Sequence, residues 1–227
     1  MTTFMDENVT CYMCKISSDH TILVSTIDLG SPDLDLRPPK MRRSTINTWI
    51  QCCPHCGYVA AEIGEKPVNL GIVQNVKASA EWGQPASIPT SGLVLNFLRL
   101  ALLEMKFARA QAAAEAALCA AWVADDGRKT VLSIECRTIS AQYMTLALSQ
   151  MDQGNEQRET MEARLVDILR RSRKWRDAEA LCRHALASGY GGIVDEILRF
   201  QRTLIQRRLV GARSVDDAQR ASASATT

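Results

Sequence analysis

Residues 49–60 read WIQCCPHCGYVA and contain a Cys-x-x-Cys pair, Cys53 and Cys56; residues 11–14 read CYMC and supply a second pair. A tight turn places the two thiols of such a pair on the same side, where backbone amides can donate hydrogen bonds to them. Two pairs brought together form a tetrahedral four-sulfur site, which is an arrangement that zinc prefers. The sequence therefore predicts one structural Zn²⁺ ion bound by Cys11, Cys14, Cys53 and Cys56.

Cys52 competes with Cys53 as a ligand because the two residues are adjacent. Neighbours in an extended segment point to opposite faces, so both cannot readily bind one metal ion. Proline after Cys53 and glycine after Cys56 stiffen the turn and permit a positive φ, which favours Cys53. The upstream pair lacks both residues and has Lys15 in the glycine position. A thioredoxin-like redox pair or buried free thiols are the alternatives, although neither pair opens a helix in an evident βαβ unit.

The zinc-knuckle module is predicted to span residues 1–63. Short strands are predicted over 21–27, which is rich in β-branched residues, and over 44–52, where apolar and polar residues alternate. A module with so few apolar residues cannot fold by burial alone, so we expect metal binding to stabilise it. Residues 64–91 contain recurring prolines and glycines and are predicted to be a linker or an irregular wrap.

A helical repeat-like domain is predicted over residues 92–210, which contain no proline and have apolar residues at helical spacing. Residues 92–124 form either one helix or two. The later helices are predicted over 129–151, 157–173, 176–187 and 192–209. The composition, 46% apolar and 5% aromatic, suits packed helices better than a β-sandwich. Residues 211–227, which end in ASASATT, are predicted to be a disordered tail.

One helical pair follows the pattern of a tetratricopeptide repeat. That repeat has large residues in its first helix and small or medium residues in its second, where the two helices approach closely. These positions are filled by Leu165, Leu169, Ala178, Cys182 and Ala185. A weaker copy is filled by Ala101, Met105, Ala114, Leu118 and Ala121, and a plain helical bundle is the alternative. The predicted fold class is mainly α, with a small N-terminal zinc-ribbon-like β module followed by a tetratricopeptide-like helical domain.

Three segments carry a resemblance to a known family: the pair Cys11 and Cys14, the segment DLDLRP at residues 33–38, and residues 49–60. In these segments the chain resembles a bacterial family of unknown function, the domain-of-unknown-function family numbered 2225. The resemblance implies paired N-terminal cysteine knuckles followed by helices similar to tetratricopeptide repeats. It implies no activity.

The net charge, the N-terminal residues and the lengths of the apolar runs indicate where in the cell the protein is found. The formal net charge is +2, the N-terminus lacks the basic and apolar regions of a secretory signal, and no apolar run is long enough to span a bilayer. We therefore expect a cytoplasmic protein with no membrane partner, in which thiols stay reduced. Cys119, Cys136 and Cys182 lie in helical patterns and are expected to be ordinary buried residues.

The leading functional hypothesis is a zinc-stabilised cytosolic adaptor, not an enzyme, whose helical domain binds a protein or peptide partner. The alternative is a nucleic-acid-binding zinc protein, because residues 164–208 contain 11 basic and 5 acidic residues. Basic residues near helix C-termini also favour the helix dipole, however, and few aromatics accompany them. A thiol-redox or metal-handling enzyme is the third hypothesis. Asp33 and Asp35 fit a polar turn better than a catalytic acid–base pair. The sequence does not predict the oligomeric state.

Overall fold

The N-terminal part of the chain begins with a β-hairpin. The computed structural model describes residues 1–152 and 154–225. Two antiparallel strands, β1 Thr3–Thr10 and β2 Ser17–Ser25, form the hairpin. The strand predicted over 21–27 therefore begins and ends earlier than expected. Its partner β1 was not predicted, because the sequence TFMDENVT is too polar to indicate a half-buried strand.

The prediction of a strand over residues 44–52 is wrong for most of that range. A short helix, α1 Lys40–Arg43, and a 3₁₀ turn lead instead into a two-residue strand, β3 Gln51–Cys52, which pairs with β4 Val59–Ala60. Ile46 and Ile50 both pack inward. Because these residues are four apart, one helical turn accounts for their burial as well as strand alternation does.

The remaining helices, α2 to α10, are Leu70–Ala78, Ala80–Gly83, Gly92–Lys106, Ala110–Asp126, Thr130–Ser149, Arg158–Arg171, Trp175–Ser188, Gly192–Gln206 and Val215–Ala225. Helices α4 and α5, α5 and α6, and α7 and α8 pack against each other across short connections. The fold is therefore mainly helical with a small N-terminal β part, which confirms the predicted fold class at this level.

Turns after α4, α5, α7 and α9 share the backbone geometry of a Schellman motif. The residues in the left-handed conformation, with φ of 58°, 55°, 62° and 50°, are Ala108, Arg128, Arg173 and Arg208. In the first turn the N–H of Arg109 donates to the carbonyl of Glu104 at 2.9 Å. Residues 92–124 thus form two helices. The sequence obscured this turn because alanine occupies the position that glycine usually takes.

Residues 64–91, predicted to be a linker or an irregular wrap, pack onto α4 and contain the short helices α2 and α3. Trp82 is 7% exposed, and its carbonyl accepts a hydrogen bond from Nε of Arg99 at 2.9 Å. One apolar core continues from Cys11 and Cys53 into the long helices. The alanine-rich helix α5 lies in this core, and its small side chains let neighbouring helices approach closely. The N-terminal module and the helices are therefore packed as one unit.

The residues of the predicted repeat-like pair lie between α7 and α8. Ala178, Cys182 and Ala185 are fully buried, Leu165 is buried, and Leu169 is half-buried. The small side chains of α8 pack in one apolar cluster with residues of α7 and α9. The burial of these positions agrees with the pattern, while membership of the tetratricopeptide class stays a prediction.

The prediction of a disordered tail over residues 211–227 is wrong for most of that range. It contains α10, and Ser214 forms an isolated β-bridge with Asp33. Leu34 is buried in an apolar cluster with Ala218 of α10. The tail is ordered because residues from the N-terminal part pack against it, a contact that its own alanine- and serine-rich sequence does not indicate. The last two residues lie outside the part of the chain that the structure describes.

Candidate metal centre

The structure brings the four predicted cysteines together. Cys11 and Cys14 lie in the turn that joins β1 to β2, and Cys53 and Cys56 lie in the turn between β3 and β4. All four Sγ atoms lie within 4.8 Å of one another. The Sγ atoms of Cys11 and Cys56 are 3.7 Å apart, and those of Cys14 and Cys53 are 3.6 Å apart. Sulfur atoms around one tetrahedral zinc ion, at a Zn–S distance of about 2.3 Å, are about 3.8 Å apart. The cluster therefore has the size of a four-coordinate metal site.

The two cysteine turns have the same backbone geometry. The N–H of Lys15 donates to the carbonyl of Cys11, and the N–H of Gly57 donates to the carbonyl of Cys53, both at 2.9 Å. Lys15 has a φ of 62° and Gly57 a φ of 69°. The left-handed conformation costs a residue other than glycine about 1–2 kcal/mol. Lys15 adopts it with its Nζ 3.8 Å from the ring centroid of Tyr12, an attractive cation–π contact.

Contacts of Ile63 connect the two turns. Its carbonyl accepts a hydrogen bond from the N–H of Tyr12 at 2.8 Å, and its own N–H donates to Oε1 of Gln51 at 3.0 Å. The first turn is therefore attached to the segment that follows the second. Because β1 and β2 extend from the first turn, the cysteine cluster also anchors the hairpin.

Burial and backbone amides act in opposite directions on the thiols. Cys11 and Cys53 are fully buried. Burial raises the pKa of Cys11 to about 12. Burial also acts on Cys53, but the amides of Cys56 and His55, together with neighbouring thiols, outweigh it and lower the pKa of Cys53 to about 7. Four thiolates this close repel one another, so a cation among them favours the fully ionised set. The cluster can therefore hold a metal ion, and four sulfur ligands leave a tetrahedral ion no open position for a substrate.

The other cysteines lie outside the cluster. Cys52 is half-buried on β3, with its Sγ 3.9 Å from the carbonyl of Cys53. Cys136 and Cys182 are fully buried, and burial raises the pKa of each thiol to about 12. Cys119 is half-buried on α5. Two of the three helical cysteines are therefore ordinary core residues, as the sequence predicts.

A second polar cluster is buried where the N-terminal segment meets the helices. The carboxylate of Asp35 is 0% exposed and accepts hydrogen bonds from Nε1 of Trp122 at 3.0 Å and from Arg171 at 2.8 Å. Asp125 pairs with Arg171 at 2.7 Å and with Arg137 at 2.6 Å. Burial raises the pKa of Asp35, but the two guanidinium groups outweigh it and lower that pKa to about 2. We call these five residues the buried ion network.

The basic run at residues 170–176 is partly internal. Arg170 is 0% exposed, pairs with Asp167 at 2.7 Å, and donates to the carbonyl of Gly211 at 3.1 Å. Arg171 belongs to the buried ion network. The count of basic residues over 164–208 does not separate buried from exposed side chains, because the acids of the network lie far from Arg171 along the chain. The i, i+3 spacing of Asp167 and Arg170 is a local signal for an ion pair, but it does not indicate that the pair is buried.

The surface has several open grooves, and two of them adjoin helix α7. The hairpin groove, about 1090 Å³, lies between the hairpin and helices α5 and α7. The helical groove, about 900 Å³, lies between α6, α7 and α8. The apolar residues that line the helical groove are Ala141, Leu148, Leu165, Leu169, Ala180 and Leu181.

Comparisons with protein-family models, with curated proteins and with solved structures return no match to this chain. The resemblance to the family numbered 2225 therefore stays a prediction. In the described ranges, no helix combines the length and the apolar character needed to cross a membrane.

Proposed function

We propose that this chain is a zinc-stabilised cytosolic adaptor whose helical domain binds a protein or peptide partner. The observation that carries the proposal is the helical groove, which is open to solvent and has an apolar floor. Leu148 and Leu165 are buried in that floor, while Thr145, Asp177 and His184 are exposed at its sides. A groove of this kind accepts the apolar face of a partner helix or a short peptide.

Zinc has a structural role in this proposal. Four thiolates suit Zn²⁺, although iron–sulfur clusters also use cysteine ligands. The separations of the Sγ atoms support one ion rather than a larger cluster, because they are close to the edge length of a single tetrahedron. Cys11, Cys14, Cys53 and Cys56 would hold the ion and thereby attach the hairpin to the helical core.

The nucleic-acid alternative has less support, because several basic residues of the 164–208 segment have internal partners. Arg164 pairs with Glu115 at 2.5 Å, and Arg171 pairs with Asp35 at 2.8 Å. Arg170 is fully buried. These side chains are therefore not available to phosphates, and the exposed positive charge is lower than the sequence count suggests.

The experiment compares two variants with the same chemical change on α8. Ala180→Arg places a long cation in the helical groove, whereas Ala187→Arg places it at an exposed position that does not line the groove. Immobilised protein is incubated with nuclease-treated extract of the source cells, and bound proteins are identified by mass spectrometry. We expect the Ala180 variant to lose partners that the wild type and the Ala187 variant retain, with equal zinc content in all three.

Two outcomes would contradict the proposal. Material that binds from untreated extract but not from nuclease-treated extract, and whose binding weakens steeply with salt, would favour the nucleic-acid alternative. Disulfide exchange by the metal-loaded cysteines would favour the thiol-redox alternative.

A further inference from the structure

The hairpin groove is built from both parts of the fold. One wall is the hairpin, where Glu7, Ile22 and Leu23 line the groove. The segment that follows the second cysteine turn lies against the hairpin, with Gly64 beside Val9, and adds Glu62 and Glu65 to the lining. Helices α5 and α7 form the floor. At about 1090 Å³ the groove is as large as the biggest small-molecule pockets, and it is open along the surface.

Negative charge dominates the lining of the hairpin groove. Among the lining residues, Arg42 pairs with Asp28 at 3.1 Å, and Arg164 pairs with Glu115 at 2.5 Å. The charged lining residues that remain are Glu7, Glu62 and Glu65. All three are exposed, and none of them forms an ion pair within the described part of the chain. A concave surface lined by one sign of charge concentrates the opposite charge, so this groove attracts cations and repels nucleic acid.

The groove also has an aromatic and apolar lining. Trp49 is half-buried and packs edge-on against Trp122, with ring centroids 6.4 Å apart. Pro38 and Val9 contribute further apolar surface. The exposed part of a tryptophan ring attracts Lys and Arg side chains through its π-system. An occupant therefore needs cationic groups and apolar groups in the same molecule, which a basic peptide has and a simple metal cation lacks.

The hairpin wall has little support from the rest of the protein. Most of its side chains are exposed, including Phe4, Met5 and Val24. Each of its strands has one neighbour in the described part of the chain, so each has one outer edge that lacks a paired strand. A two-stranded hairpin is marginally stable alone, and an extended peptide can pair with such an edge. Glu7 is on β1, beside one of these edges.

We infer that the hairpin groove is a second docking surface, which binds an extended basic segment of a partner protein. Lys or Arg side chains of the segment lie near Glu7, Glu62 and Glu65, and its apolar side chains contact Trp49. This inference does not depend on the helical groove, because the two grooves share no lining residue.

The test uses random dodecapeptides displayed on phage, selected on the zinc-loaded full-length protein. We expect the selected peptides to be enriched in Lys and Arg with interspersed apolar residues. The best peptide is then synthesised with a fluorescent label, and its Kd is measured by fluorescence polarisation. Charge reversal of the three acidic residues, E7K/E62K/E65K, should weaken binding at least about tenfold, and raising the salt concentration should weaken wild-type binding.

A matched control separates the groove from overall charge. The triple variant E81K/E156K/D216K makes the same change in net charge at exposed acids that do not line the hairpin groove, and it should bind within about twofold of the wild type. Ala180→Arg should also leave peptide binding intact, which keeps this test independent of the helical groove. Selection of peptides that are not basic, equal weakening by both triple variants, or no enrichment would overturn the inference. Occupation by a second copy of the chain, seen as a dimer that E7K/E62K/E65K dissociates, would overturn it as well.

Discussion

Asp35→Asn tests whether the buried ion network holds the N-terminal segment on the helices. The substitution keeps the size of the side chain and an acceptor for Nε1 of Trp122. It removes the negative charge that faces Arg171 at 2.8 Å and Arg137 at 3.5 Å. Both guanidinium groups are almost fully buried, and Asp125 remains as their carboxylate partner. The folded state would then contain more buried positive than negative charge.

The expected loss of stability follows from the pKa of Asp35. That pKa is about 2 in the folded protein, against an ordinary value of 3.8 that applies to the unfolded chain. The difference corresponds to about 2–3 kcal/mol of unfolding free energy at neutral pH. Removing one partner from a buried ion pair costs about 3–5 kcal/mol when the other partner is left without compensation. Because Asp125 still pairs with both guanidinium groups, we expect Asp35→Asn to lower the free energy of unfolding by an amount at the lower end of this range, about 3 kcal/mol.

The pH dependence has a definite sign. Because the folded pKa of Asp35 is below the unfolded value, its contribution is fully present above the unfolded value of 3.8 and is lost as the pH falls through about 2. The difference between wild type and variant should therefore be the same at pH 6 and pH 8.

Urea unfolding followed by circular dichroism measures the effect at these two pH values. Asp28→Asn is the matched control, since Asp28 pairs with Arg42 at the surface, with side chains 47% and 52% exposed. An exposed pair contributes less than about 1 kcal/mol. Equal losses in the two variants, or an Asp35→Asn effect that disappears between pH 8 and pH 6, would refute the reasoning.

Three further predictions concern the metal centre and the helical packing. Cys53→Ser should lose bound zinc, whereas Cys52→Ser should keep one zinc ion per chain by elemental analysis; the reverse result would show that the ligand is assigned to the wrong neighbour. Chelation of the metal at neutral pH should lower the thermal midpoint of the helical signal, because Cys11 and Cys53 share the core of the helices. An unchanged midpoint would mean that the two parts unfold separately. Ala178→Leu should destabilise the protein by about 1–3 kcal/mol, because Ala178 is 0% exposed between packed helices. Ala187→Leu, at an exposed position of the same helix, should change stability by less than about 0.5 kcal/mol in the same urea assay.

Sequence alone was sufficient for features whose signal is local. The spacing of Cys53 and Cys56, with proline and glycine in the turn, identified the second knuckle and distinguished Cys53 from Cys52. Helical periodicity located the later helices because a helix repeats its burial pattern within a few residues. The tetratricopeptide-like pattern identified Ala178 and Ala185 as positions of close helix contact, and both are fully buried.

Tertiary structure decided the features that depend on residues distant in the chain. Asp35 and Arg171 are separated by 136 residues, so nothing near either residue indicates that the two side chains pair in the interior. The order of the C-terminal segment depends in the same way on Leu34, which packs against α10. Local propensity describes a segment by its own residues, whereas the burial of a charge or of a polar tail depends on what packs over it. For this reason the cysteine knuckles were predictable, and the buried ion network, the ordered tail and the acidic groove beside the hairpin were not.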